Sequence, residues 1–108
     1  MEFSYVKIAV FTPLSHAKAV RKVLADAGAG HIGNYDSCCF STFGTGRFRP
    51  LKGAKPFVGK EGELEEVEEE RIEVICEYKE LKFILHKLRE VHPYEEPAID
   101  VYPLMNKP

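Results

Sequence analysis

The sequence contains few cysteines, and their arrangement excludes the commonest uses of this residue. There are three in 108 residues, with Cys38 and Cys39 adjacent and Cys76 distant, and none in a Cys-x-x-Cys pair. An odd number without that spacing argues against a disulfide framework and against a zinc finger. We therefore expect all three to be small, buried apolar residues with no redox or metal role.

The chain also lacks a long apolar run. No stretch approaches the roughly 20 consecutive apolar residues that a membrane span requires. Glu2 and Lys7 flank a short strand-like stretch, so the charged and apolar regions of an export signal are missing as well. These absences lead us to expect a soluble, cytoplasmic protein. Its 108 residues suit one domain, 1–108, with a single core.

Neither sign of charge is in large excess, although the charges are segregated. The formal net charge is −2 and the pI is about 6.1, which argues against nucleic acid as a partner because phosphate attraction requires a positive face. Residues 47–60 contain five basic side chains and no acidic one, and residues 61–73 contain eight glutamates. The basic segment could hold a small anion, and the glutamate run is expected to be a solvated flank of a strand.

Alternating apolar residues predict strands, and apolar residues at helical spacing predict helices. Thr12 suits a helix N-cap, Pro13 the first helical position and Gly28 the helix stop. A segment with frequent glycine and proline, 46–62, is predicted to be a long loop or an extended β-arm. The predicted elements are a strand at 3–11, a helix from 13 to 27, strands at 38–43 and 71–76, a helix at 78–91 and a strand at 98–102.

The order β-α-β-β-α-β predicts an α+β ferredoxin-like sandwich, with two helices on one face of a four-stranded antiparallel sheet and a long loop between strands two and three. The side chains expected on the other face are too apolar for a surface left in water. We therefore expect self-association into a closed ring, a homotrimer. These side chains are Tyr5, Ala9, Phe11, Phe43, Ile75 and Tyr102.

Three functional motifs are rejected. The glycines of 28–33 match G-x-G-x-x-G, but they follow a helix instead of joining a strand to a helix, which argues against a dinucleotide site. The third strand lacks the stacking aromatics of an RNA-recognition domain. No cysteine or serine has a local signature for nucleophilic catalysis.

The segment from His92 to Pro97, called the Pro-bracketed segment below, contains an imidazole, a phenol, two carboxylates and two prolines. Each proline fixes its own φ and Pro93 restricts His92, so the backbone is stiff. One interpretation is a divalent-metal site of His92 with Glu95 or Glu96, either structural or hydrolytic. The other is a well-formed connection between a helix and a strand.

Four blocks in one order carry a resemblance to a known family. Residues 28–38, 44–50, 70–73 and 92–98 closely resemble the inserted domain of the YqfO-type members of the Nif-three-like family. The resemblance implies a domain similar to the PII and CutA proteins, which are trimers of ferredoxin-like subunits. In the family this insert caps a hexameric shell with a dinuclear metal centre. The halves that supply the metal ligands have no room in this chain, so a hydrolase or GTP cyclohydrolase activity is not implied.

The strand order, the apolar second sheet face and the resemblance together lead us to expect a non-enzymatic, trimeric ligand- or partner-binding domain. The alternative, a divalent-metal-binding protein or metal-dependent hydrolase, rests on the donor cluster of His92, Glu95 and Glu96. A third possibility is docking on a separate protein that has the dinuclear metal centre. We expect the Pro-bracketed segment to line a subunit-interface pocket together with the loop of His31. The ligand-binding candidates are His31, Asn34, Tyr35, Arg47, Arg49 and Tyr94, and the metal candidates are His92, Glu95 and Glu96, with His31 as a further donor.

Overall fold

A computed structural model describes residues 3–108 of the chain. Four strands form one antiparallel sheet in the order β2-β3-β1-β4, and two helices accompany it. The elements are β1 (Tyr5–Pro13), α1 (Leu14–Asp26), β2 (Phe40–Phe48), β3 (Glu65–Glu77), a 3-10 turn (Tyr78–Glu80), α2 (Leu81–Val91) and β4 (Ile99–Leu104). The predicted α+β ferredoxin-like fold is confirmed.

The core lies between the sheet and the two helices. In the sheet, Ile8 of β1 stands opposite Val74 of β3 and Val101 of β4, so the apolar residues of the alternating strands share one face. Leu24 of α1 and Leu88 of α2 are buried against that face. Burial of these side chains supplies the main favourable term in folding.

The first helix begins later than predicted. Pro13 is extended, with φ −62° and ψ 147°, and it is both the last residue of β1 and the N-cap of α1. Thr12 is therefore a buried strand residue and not a helix cap. At the other end, Ala27 caps the helix and Gly28 follows with φ 104°, as the predicted glycine stop requires.

The second and third strands are longer than predicted, because they pair with each other over nine residues from Phe40↔Glu73 to Phe48↔Glu65. Residues 46–48 belong to β2, and most of the glutamate run belongs to β3. Two of those glutamates, Glu69 and Glu70, are buried, so the expectation of a solvated flank was wrong for them.

The prediction that all three cysteines are buried was wrong for Cys39, partly right for Cys38 and right for Cys76. Cys39 is exposed and Cys38 half-buried, since both precede β2 instead of lying in it, whereas Cys76 is buried in β3. Burial, together with the nearby carboxylates of Glu80 and Glu77, raises the pKa of the Cys76 thiol to about 11. This thiol stays protonated and packs as an apolar residue.

The sheet face opposite the helices is less apolar than predicted. Phe43 stands opposite Glu70, and this register places it on the helix side. The open face also carries charge: Arg71 forms an ion pair with Glu73 at 3.1 Å, and its guanidinium lies over the Phe11 ring at 5.3 Å. The other predicted residues, Tyr5, Ala9, Phe11, Ile75 and Tyr102, do share this face.

Within residues 3–108, no helix has both the length and the apolar character that a membrane crossing demands.

Candidate functional site

His92 is the first residue after α2, and its side chain ties the helix end to β1. The residue is extended, with φ −65° and ψ 131°, as a following proline demands. Its Nε2 lies 2.8 Å from the Phe11 carbonyl oxygen, and its Nδ1 accepts a hydrogen bond of 3.1 Å from the Tyr94 backbone N–H. Because a carbonyl only accepts, Nε2 carries the proton, and the ring is the neutral Nε2–H tautomer.

The environment of His92 favours this neutral form. Burial lowers the pKa of the imidazole below its ordinary value, and nearby His16 lowers it further. The Phe11 carbonyl and the Glu69 carboxylate act in the opposite direction. The net lowering keeps the ring uncharged near neutral pH.

The metal candidates do not converge on one point. Both nitrogens of His92 are hydrogen-bonded, and a carboxylate oxygen of Glu95 accepts the Lys55 backbone N–H at 3.0 Å. In the part of the chain that the structure describes, no three His, Cys, Asp or Glu side chains are grouped to hold a metal ion. The metal site remains a prediction, and the geometry favours the interpretation of the segment as a stiff connection.

Tyr94 joins the Pro-bracketed segment to β3. Its hydroxyl donates a hydrogen bond of 2.8 Å to Oε2 of Glu69, a residue only 8% exposed. Burial raises the pKa of the phenol well above its ordinary value, and the Glu69 carboxylate raises it further. The phenol therefore remains protonated and acts as a donor.

Gly46 makes room for the Glu69 side chain. The two residues face the same side of neighbouring strands, since Gly44 stands opposite Glu69 and Gly46 is the next residue along that face. A Cβ atom on Gly46 would overlap the Glu69 carboxylate. The absent side chain thus allows the Glu69 carboxylate to lie against β2 at this position.

A cavity of about 460 Å³ opens beside the Tyr94–Glu69 hydrogen bond. It lies between the β2–β3 pair, the loop that joins those two strands, and the Pro-bracketed segment. Aromatic rings contribute to its wall: the Tyr94 ring centroid is 6.0 Å from that of Phe48 and 6.3 Å from that of Phe57. The lining residues are Phe11, Gly46, Arg47, Phe48, Arg49, Pro50, Leu51, Ala54, Pro56, Phe57, Val58, Glu69, Tyr94, Glu95, Glu96 and Ala98.

The cavity brings together some of the predicted site residues and not others. Arg47, Arg49, Tyr94, Glu95 and Glu96 line it, while His92 lies behind Tyr94 with ring centroids 5.0 Å apart. The remaining candidates, His31, Asn34 and Tyr35, do not line it and are exposed on the loop after α1.

The loop of His31 lies at the other end of β1. Gly30 of that loop donates to the Ile75 carbonyl at 2.7 Å, and Ile75 stands opposite Lys7, whereas His92 contacts Phe11. Four residues of extended strand separate these points by roughly 13 Å. A pocket shared by His31 and the Pro-bracketed segment would therefore need two subunits, and it remains a prediction.

Sequence reasoning missed Glu69, Gly46, Phe48 and Phe57. Glu69 was hidden in the glutamate run, where the apolar alternation of Ile72, Val74 and Cys76 does not continue. The contact of Gly46 with Glu69 depends on the β2–β3 register, which no local pattern specifies. Phe57 lies in an irregular loop and had no signal of its own.

No family model matches the chain. Among curated proteins, the chain is similar to the GTP cyclohydrolase 1 type 2 homolog of Halalkalibacterium halodurans, with 49% identity over 104 residues. The aligned region covers 96% of this chain and 28% of that protein. The chain spans about a quarter of the length of the curated relatives it matches.

Solved structures give the same correspondence. The Bacillus cereus protein related to NIF3 matches with a TM-score of 0.84 and 49% identity, over 96% of this chain and 26% of that one. CutA from Archaeoglobus fulgidus, described as a periplasmic divalent cation tolerance protein, matches with a TM-score of 0.69 over 95% of this chain and 86% of that one. At 18% identity the CutA match shows a shared fold.

Proposed function

We propose that this chain, which is homologous to a segment of the Nif-three-like proteins and has the PII/CutA-like fold, is a ligand-binding domain. Its site is the cavity between the β2–β3 pair and the Pro-bracketed segment. The proposal rests on one observation: the Pro-bracketed segment forms a stiff wall on one side of the cavity. Apolar cavities of a few hundred Å³ with a few fixed polar groups are the usual form of a small-molecule site.

The stiffness of the wall comes from Pro93 and from three hydrogen bonds. The His92 ring donates a hydrogen bond to the Phe11 carbonyl of β1. The Tyr94 backbone N–H donates to the His92 ring, and the Tyr94 hydroxyl donates to Glu69 of β3. A wall fixed in this way does not have to be ordered when a ligand binds, which lowers the cost of binding. At the mouth, the exposed guanidinium groups of Arg47 and Arg49 suit an anionic part of a ligand.

The proposed role is non-enzymatic. A general acid or base must be free to exchange a proton with the substrate. The His92 nitrogens are both engaged within the protein, and the Tyr94 phenol is held in its protonated form by its surroundings. The cyclohydrolase named for the relatives is not transferred, because the chain corresponds to about a quarter of those proteins.

Native mass spectrometry tests the ligand-binding role. Protein purified under gentle conditions is expected to retain a small molecule, and a variant with a filled cavity, Ala98→Phe, is expected to lose it. Ala19→Phe adds the same ring on an exposed position of α1 outside the cavity and is expected to retain the molecule. Equal ligand retention by the two variants would contradict the assignment of the cavity.

The assembly is proposed to be a homotrimer formed through the open sheet face. The aromatic rings of Tyr5, Phe11 and Tyr102 lie on a sheet face that neither α1 nor α2 covers, and such faces are commonly buried by association. Sedimentation velocity tests this. Tyr102→Glu should shift the protein toward monomer, whereas Phe83→Glu, on the exposed side of α2, should not. A monomeric wild type at micromolar concentration would overturn the trimer.

A partner with a dinuclear metal centre is a separate prediction of the family resemblance. It is supported by the correspondence of the chain to about a quarter of its curated relatives. Affinity purification from the native host at endogenous levels tests it. Recovery of the chain without a metal-containing partner would count against it.

A further inference from the structure

We infer that the buried end of the cavity binds an organic cation, an ammonium or quaternary ammonium group held between the Glu69 carboxylate and the aromatic wall. The inference rests on the proposed ligand-binding role of the cavity and specifies the chemistry of the ligand. Two independent features carry it: a buried carboxylate without a cationic partner, and aromatic rings around the same space.

The first feature is clear from the contrast between Glu69 and its neighbour Glu70. Both carboxylates are buried. Glu70 accepts hydrogen bonds from the Arg21 guanidinium and from the Ser41 hydroxyl at 2.7 Å, so its charge is paired. Across residues 3–108, Glu69 has no ion-pair partner, and its hydrogen-bond donor is the neutral Tyr94 hydroxyl.

A buried carboxylate without a counterion is costly, because burial removes its water without replacing it by a positive charge. Glu69 bonds Tyr94 through Oε2, while Oε1 lies over Gly46, whose lack of a side chain leaves this oxygen beside the cavity. A cation in the cavity would supply the missing charge. An anion at this end would instead meet like charge.

The second feature is the wall itself. Phe48, Phe57 and Tyr94 line the cavity with tilted rings, at interplanar angles of 56° for Phe48 with Tyr94 and 51° for Phe57 with Tyr94. The three rings therefore lie in different planes around one space. The faces of aromatic rings carry negative potential, and several of them around one site form the usual binding arrangement for alkylammonium groups.

The positive side chains of the site lie elsewhere. Arg47 forms a loose ion pair with Glu66 at 3.5 Å, and both side chains are more than half exposed. Arg49 is exposed as well. Their fields are weakened by solvent at the mouth, so they do not neutralise the buried Glu69.

Three probes of one shape and different charge test the inference: choline, its neutral isostere 3,3-dimethylbutan-1-ol, and the anion 3,3-dimethylbutanoate. Each is titrated into 15N-labelled full-length protein and followed by amide chemical shifts. We expect choline to bind about tenfold or more tightly than the other two, as expected for a desolvated cation next to a carboxylate and aromatic rings. The largest shifts are expected at Gly46 and Phe57.

Two variants separate the contributions of the carboxylate and the rings. Glu69→Gln keeps the shape and removes the charge, and it should weaken choline binding about tenfold without changing the neutral isostere. Phe57→Leu keeps an apolar wall and removes a ring face on an exposed loop, so it should weaken choline several-fold and spare the isostere. Glu68→Gln, at an exposed residue of β3 that does not line the cavity, is the control, and it should leave both affinities nearly unchanged.

The outcomes distinguish the cation inference from the ligand-binding proposal on which it rests. Equal affinity for choline and its neutral isostere, or choline affinity unchanged in both Glu69→Gln and Phe57→Leu, would overturn the cation inference and leave the ligand-binding cavity standing. Absence of shifts with all three probes, together with equal ligand retention by Ala98→Phe and Ala19→Phe, would overturn both.

Discussion

The Tyr94 hydroxyl donates a 2.8 Å hydrogen bond to Glu69, 25 residues away in the sequence. This bond connects the segment after α2 to the middle of the sheet. It holds one wall of the cavity in place and satisfies one oxygen of a buried carboxylate. The geometry of the site therefore depends on a contact between two polar residues that lie outside the hydrophobic core.

Removal of this hydroxyl is expected to destabilise the fold. Tyr94→Phe leaves the buried Glu69 without a donor among the described residues, which should lower the free energy of unfolding by about 1–3 kcal/mol. Tyr35→Phe removes a hydroxyl from a side chain that is 74% exposed, and its effect should stay within about 0.5 kcal/mol. Urea denaturation measures both values. Equal effects of the two variants would show that the bond does not stabilise the fold.

Gly46 is expected to tolerate substitution less well than Gly44, two residues before it. A Cβ on Gly46 would overlap the Glu69 carboxylate, whereas a Cβ on Gly44 would meet no atom within 4 Å. Gly46→Ala should therefore cost about 1 kcal/mol, because the carboxylate end of Glu69 has to move away from its hydrogen bond with Tyr94. Gly44→Ala should be neutral, or stabilising by up to about 1 kcal/mol because alanine restricts the unfolded chain. Thermal and urea unfolding compare the pair, and a reversed order would refute the packing argument.

The fold could be predicted because its signals are local. Alternation in β1 and β3 and the apolar stripes of both helices follow from the pattern of each segment alone. The ends of β2 and β3 could not be predicted, because charged residues such as Glu69 have no strand pattern and become strand residues through pairing with β2. Of the residues that line the cavity, Arg47, Arg49 and Tyr94 were candidates from the sequence, while Glu69 lies beside them only through the register of the sheet.

Thr12 provides a test of an unpaired buried group. Its side chain is fully buried, and among residues 3–108 its Oγ1 has no hydrogen-bond partner. Thr12→Val replaces the hydroxyl by a methyl group of similar size and should raise the free energy of unfolding by about 1 kcal/mol. Ser41→Ala is the opposite case, since its hydroxyl donates to Glu70, and it should lower that energy by about 1–2 kcal/mol. Destabilisation by Thr12→Val would reveal a partner for this hydroxyl.

Metal analysis decides the interpretation of the Pro-bracketed segment as a metal site. Since both His92 nitrogens are engaged within the protein, we expect tag-free wild type and His92→Gln to contain equal and negligible amounts of divalent metal by mass spectrometry. A double variant, Glu95→Gln with Glu96→Gln, should match them. About one metal ion per chain in the wild type, lost in His92→Gln, would establish the metal site.

Stability is expected to fall as the pH drops below the ordinary imidazole pKa of 6.5, because burial lowers the pKa of His92 in the folded protein. In this window the unfolded chain binds a proton that the folded chain resists, so the free energy of unfolding decreases toward acid pH. The loss ends below the folded pKa, where both states are protonated, and its slope is at most about 1.4 kcal/mol per pH unit.

Urea unfolding between pH 8 and pH 5 measures this loss of stability. His92→Gln should flatten the slope; the other titratable groups that face this ring are His16 and Glu69. His31→Gln, in an exposed loop at the other end of β1, should keep the slope of the wild type. An identical slope in all three proteins would rule out His92 as the source of the pH dependence.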